Sequence, residues 1–128
     1  MSYHFSKTVN LPFDQAIAKV TAELAARGFG VLTEIDVAAT LRKKINVEFR
    51  PYRILGACNP RFAYQALSAE DKIGTMLPCN VIVQELGPGR VEVSAVDPIA
   101  SMQAVRNPSL EPIATQVQGL LKECVEAV

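Results

Sequence analysis

Tryptophan is missing from this chain of 128 residues, aromatic side chains make up only 6% of it, and a single histidine, His4, is present. Stacking platforms for bases or sugar rings are therefore sparse. Charge of one sign is also lacking: thirteen basic residues balance thirteen acidic ones. Without a net positive field the electrostatic basis of non-specific nucleic-acid binding is absent, and no nucleic-acid partner is expected. No apolar run approaches the ~18 residues that span a bilayer, so no membrane association is expected either. The first residues, Met1 to Lys7, have neither the basic start nor the apolar run of a secretory leader. Cysteine is scarce, three residues in all. In a chain without a leader this points to a reducing compartment, and the expected location is cytoplasmic. Glycine-rich phosphate loops, the Gly-x-Ser-x-Gly elbow, Cys-x-x-Cys and His-x-x-x-His are all absent, which removes the familiar nucleotide, hydrolase and zinc signatures.

What is present is a core-forming composition, 49% hydrophobic and 20% charged. A domain of this length buries roughly two-thirds of its unfolded surface, enough to need no staples. The chain reads as one domain over residues 1–128. Alternation over Tyr3 to Val9 predicts a strand. Pro12 and Asp14 open a helix that carries Phe13, Ile17, Val20 and Leu24 on one side and stops at Arg27-Gly28. A second strand runs from Phe29 to Ile35. Asp36 caps a short helix with Val37, Leu41 and Ile45 on one side and Arg42, Lys43 and Lys44 around the other. Asn46 to Pro51 connects to a third strand, Tyr52 to Cys58. Asn59-Pro60 starts a helix ending near Glu70, and Asp71 to Pro78 reads as a loop.

Cys79 to Leu86 and Arg90 to Asp97 flank Gly87-Pro88-Gly89 and predict a hairpin. Pairing Leu86 with Arg90 leaves a three-residue loop. It sets Val83 against Val93 and Val81 against Ala95, gathering the valines on one face. A slip by one residue would mix core and solvent positions. Extended to its end, this register puts Cys79 opposite Asp97. A turn or short helix through Ile99, Met102 and Val105 follows. Leu110, Ile113, Val117, Leu120, Leu121, Cys124 and Val128 then trace the strongest helical stripe in the chain. The order β-α-β-α-β-α-β-β-α implies an α+β (mixed α/β) domain: a mixed sheet of about five strands covered by helices, in two or three layers.

Three strings stand out: Leu55-Gly56-Ala57-Cys58-Asn59-Pro60, Leu77-Pro78-Cys79-Asn80-Val81 and Val96-Asp97-Pro98. With the opening and closing helices they make the chain resemble the family catalogued as domain of unknown function 302, over nearly its whole length. The resemblance implies a compact α/β domain, often dimeric, found in bacteria and archaea; it implies no activity, since the family name records none.

Chemistry-bearing residues concentrate at the predicted strand ends. Cys58 precedes a helix start, where backbone N–H groups and the positive helix end favour a thiolate or another anion; a small buried residue before an Asn cap is the plainer alternative. Cys79 beside Asp97 would have its thiol pKa raised by the carboxylate, which disfavours a nucleophile and suits a ligand pocket; alternatively Cys79 packs as a hydrophobe while Asp97 caps a turn. Whether Cys58 and Cys79 can meet depends on the connection between them. A parallel crossover separates them to opposite ends of the sheet, whereas a loop that returns along the helix brings them to one end. His4 is expected to face solvent from an early strand, and Cys124 to lie in the core. Arg42, Lys43, Lys44, Arg50 and Arg53 form the only basic concentration, more often a solvated face than an anion site. No spacing demands a metal, and none is expected; a cofactor is not specified.

The leading expectation is a homodimeric binding module whose small or anionic ligand sits among Cys58, Asn59, Cys79, Asn80 and Asp97. One alternative is a thiol-dependent redox or sulfur-transfer protein using Cys58 with Cys79. The other is a structural or protein-interaction domain, which an empty, apolar strand-end region would favour.

Overall fold

The structure, a computed structural model, describes residues 2–128. Five strands, β1 (His4–Val9), β2 (Gly30–Asp36), β3 (Tyr52–Cys58), β4 (Cys79–Gly87) and β5 (Arg90–Val96), form one sheet in the order β1-β5-β4-β3-β2. Every neighbouring pair is antiparallel. The fold is thus α+β, and the sheet is antiparallel throughout rather than mixed. The helices are α1 (Phe13–Ala26), α2 (Val37–Ile45), α3 (Pro60–Ala69), α4 (Pro98–Ser101) and α5 (Glu111–Ala127). No helix among the described residues is long and apolar enough to cross a membrane.

Helices α1 and α5 cover one face of the sheet, as their apolar stripes require. Ala16, Val20 and Leu24 of α1 and Val117, Leu121, Cys124 and Val125 of α5 are buried against Val81, Val83, Val91 and Val93. Fully burying a Val or Leu side chain contributes about 1.5–3 kcal/mol, so this two-layer sandwich supplies most of the hydrophobic stabilisation. The other face of the sheet carries no helix layer comparable to this one: Asn80, between buried Cys79 and Val81, is exposed.

The hairpin has the expected valine register, Val81↔Ala95 and Val83↔Val93, but its tip differs. Gly87 pairs with Arg90, leaving a two-residue Pro88-Gly89 turn, and the extra residue is taken up as a bulge between Glu85 and Gly87. Pro88 followed by Gly89 at φ +68° suits a turn whose hand splays the strands, and a bulge restores their twist. The segment after α3 is also more regular than a loop: Asp71–Met76 is a 3-10 helix. Its Ile73 is buried with Ala66 and Leu110 in a second, smaller core, which anchors the chain as it turns back toward the sheet.

Candidate functional site

That return settles the placement of the two strand-end cysteines. β4 starts where β3 ends, and Cys79 is the direct cross-strand partner of Ala57, the residue before Cys58. Both cysteines therefore lie at one end of the sheet. All three cysteines of the chain are free thiols. Burial, and secondarily the neighbouring Cys58, pushes the Cys79 thiol up to about 11. It is a protonated, largely apolar group at neutral pH.

Cys58, Asn59 and Cys79 line a cavity of about 290 Å³ between the ends of β3 and β4 and the helices α3, α4 and α5. Its walls are otherwise apolar: Phe29 and Leu32 from β2 and its approach, Phe62 and Leu67 from α3, Leu77 and Pro78 before β4, and Ile113 and Val117 from α5. Four alanines, Ala57, Ala63, Ala66 and Ala114, stand where larger side chains would fill the space.

Two of the expected residues are elsewhere. Asp97 lies just past the end of β5. Its carboxylate accepts the backbone N–H groups of Ile99 and Ala100 at 3.0 and 3.4 Å, capping α4, and the Gln118 amide at 3.1 and 3.2 Å. It does not line the cavity, because α4 begins at once and its free N–H groups claim the carboxylate. Asn80 points to the other face of the sheet, with Tyr3, His4, Tyr52 and Gln84 around a shallow hollow. Strand alternation forces this: if Cys79 faces the helices, Asn80 cannot. Asn59 precedes α3 but makes no side-chain capping bond.

His4 is exposed on the edge strand β1, with Nδ1 2.7 Å from the Ser6 hydroxyl. Cys124 is in the core, 1% exposed. The basic residues are dispersed into local pairs: Arg42 lies 3.8 Å from Glu48, Arg53 reaches Glu34 at 2.6 Å and Asp36 at 3.4 Å, and Arg50 donates to Gln84 at 2.8 Å. They do not converge on the cavity.

The lining residues that sequence reasoning missed are the apolar ones. Leu110, Ile113 and Val117 belong to the stripe of the last helix, where a residue facing a cavity looks the same as one facing the core. The alanines of α3 and Ala114 carry no periodic signal of a void. Met102, expected only as part of a turn or short helix, also lines the wall.

The family described as "Domain of unknown function DUF302" matches residues 5–128. A crystal structure of an uncharacterized conserved DUF302 protein from Bacillus stearothermophilus superposes with a TM-score of 0.91 at 26% identity, covering 99% of this chain and 98% of that one. None of the curated proteins matches.

Proposed function

Since the chain belongs to the domain of unknown function 302 family, which brings no activity with it, we propose from the geometry that it is a binding module for a small, mainly apolar ligand held in the strand-end cavity. The observation that carries this reading is a void of about 290 Å³ walled by four alanines at the junction of β3, β4, α3 and α5. Apolar walls alone would suit a structural domain equally well; what favours a ligand is that the space opens to solvent beside exposed Leu32 and Leu67, so a small apolar molecule can enter and cover walls that are otherwise wet. An anionic ligand has less support, since Asp97 and Asn80 turn away and no basic side chain lines the walls. Asn59 and the Cys58 thiol give the ligand one polar end. A thiol-dependent activity would fall to Cys58 alone, because burial keeps the Cys79 thiol protonated. A cytoplasmic location fits three unpaired thiols.

The cavity holds about ten waters' worth of space at ~30 Å³ each, hence a ligand of about ten non-hydrogen atoms. At ~0.5 kcal/mol per atom such a ligand binds with about 5 kcal/mol, a Kd of about 0.2 mM. Indole titrated into the protein, followed by NMR, is expected to show saturable shifts confined to cavity residues. Ala63→Phe should abolish them while the circular dichroism stays unchanged. Absence of saturable shifts in the wild type rules the reading out.

The homodimer is the second part of this proposal, with the helix-free sheet face as its interface. Cross-strand rows on that face run Ile35–Ile54–Ile82–Ser94–Ser6 and Tyr52–Gln84–Glu92–Thr8. The first is an isoleucine ladder on a sheet face without a helix layer, and Ile35 is 48% exposed. Five strands at ~4.8 Å spacing and about seven residues at ~3.3 Å give a flat face of about 550 Å², about two-thirds of the ~800 Å² that each side of a standard interface buries. Ile82→Lys places two lysines in each dimer; at about 2 kcal/mol apiece this weakens association about 1000-fold. Sedimentation equilibrium is expected to show a wild-type dimer and a monomeric variant. A variant that sediments like wild type would exclude this face.

A further inference from the structure

The chain has six sulfur atoms, three from cysteine and three from methionine. Three of them, in Cys58, Cys79 and Met102, belong to residues that line the strand-end cavity. They come from three separate elements: the end of β3, the start of β4 and the residue that closes α4. We propose that these three sulfurs form a site for a soft monovalent cation of filled d shell, Cu(I), held by the two cysteine thiolates with the Met102 thioether as third donor.

The cross-strand geometry sets the reach. Cys79 sits directly opposite Ala57, so Cys58 is its diagonal neighbour. Adjacent antiparallel residues are ~5 Å apart and successive Cα atoms ~3.8 Å, which puts the two cysteine Cα atoms about 6 Å apart. Two sulfurs at ~2.3 Å from a shared metal are at most ~4.6 Å apart, a separation that side chains on such Cα atoms span. Ideal alternation would send the two side chains to opposite faces, but β3 ends at Cys58 and both residues line the same cavity.

The donor set selects the metal. Among the described residues no three side chains of His, Cys, Asp and Glu gather anywhere, so the three or four Cys, His or carboxylate ligands that zinc needs and the oxygen-rich sets that calcium and magnesium need are missing. Soft thiolate and thioether ligands in apolar surroundings suit Cu(I). Binding breaks two S–H bonds and forms two Cu–S thiolate bonds, releasing two protons to solvent. Copper enters and stays as Cu(I), so no oxidant or reductant is consumed. The resulting centre carries one net negative charge beside the start of α3. No side chain caps that helix start, so the positive helix end is available to offset the charge.

This assignment shares the cavity with the ligand reading above but does not rest on it: indole binding can fail while copper still titrates. The test is an anaerobic titration of the reduced full-length chain with Cu(I) in competition with bicinchoninate, followed by X-ray absorption of the loaded protein. The expected result is one copper per chain with sulfur as the only scatterer class in its first coordination sphere. Cys58→Ser, at a half-buried strand end, and Cys79→Ala should each weaken binding at least about 100-fold, and Met102→Leu about tenfold. Cys124→Ala, which removes the one remaining thiol, should leave both affinity and stoichiometry as in wild type. Equal losses on replacing Cys124 and Cys58, retained binding in Cys58→Ser, or preferential uptake of Zn(II) would each overturn the site. An unchanged affinity in Met102→Leu would overturn the thioether's place in it.

Discussion

Gly56→Val is expected to cost the domain more than about 3 kcal/mol of stability at 25 °C. Gly56 is in the middle strand of the cavity end, paired with Thr33 on β2 and Asn80 on β4. A Cβ at this position would collide with the Thr33 hydroxyl and come within 2.7 Å of the Pro78 ring. The threonine can change rotamer, but the proline ring is fixed by its backbone and by the start of β4. Overpacking of this kind costs about 1–3 kcal/mol for one methyl group, and valine adds two more carbons to the same gap. We expect a loss of about 2 kcal/mol for Gly56→Ala and more than about 3 kcal/mol for Gly56→Val, against a total stability of about 5–15 kcal/mol. Urea denaturation measures both. Thr33→Ala in the Gly56→Ala background should recover part of the loss, because one of the two colliding groups is then gone. If both single variants unfold within about 0.5 kcal/mol of wild type, the close approach of β2, β3 and Pro78 is not as described.

Alkaline pH should destabilise the domain over a defined window. Burial, with a smaller contribution from Cys58, raises the Cys79 thiol from an ordinary value of 9.0 to about 11. Burial also raises Cys124, to about 11. The folded state thus holds these protons more tightly than the unfolded state does. Stability from this source is complete below pH 9 and is lost as pH rises through about 11. At about 1.4 kcal/mol per unit, Cys79 accounts for up to about 3 kcal/mol of the decline, and Cys124 adds to it in the same direction. Urea unfolding at pH 8, 9.5 and 11 is expected to show the fall. Cys79→Val, close to isosteric and unable to ionise, should flatten it by about half. A stability that does not change across this window would contradict the burial of both thiols.

Much of the secondary structure was legible because it depends on local chemistry. Strand β3 has the expected bounds, Tyr52 to Cys58, and Asp36 caps α2 by accepting the Ala39 N–H at 2.9 Å. The hairpin body followed from burial: only one register keeps Val81, Val83 and Val93 on one side. The tip did not, since choosing between a three-residue loop and a bulge with Pro88-Gly89 depends on strand twist rather than side-chain pattern. The site was legible in part. Cys58, Asn59 and Cys79 stood out as polar or sulfur interruptions at strand ends, and they do line the cavity. Asp97 stood out for the same reason, but its carboxylate is committed to the helix that begins beside it and to Gln118, 21 residues away.

By itself, then, the amino-acid order determined the five strands and the longer helices, the faces that α1, α5 and the hairpin bury and the pairing of the hairpin valines, because dihedral preference, capping and side-chain period act over a few residues. Only the tertiary structure decided that the sheet is wholly antiparallel, that Cys58 and Cys79 share one end of it, and that four alanines surround an unfilled space. Those outcomes depend on how Ile73 and Leu110 pull the chain after α3 back onto the sheet. A void is a property of what several distant segments leave between them, and no single segment encodes it.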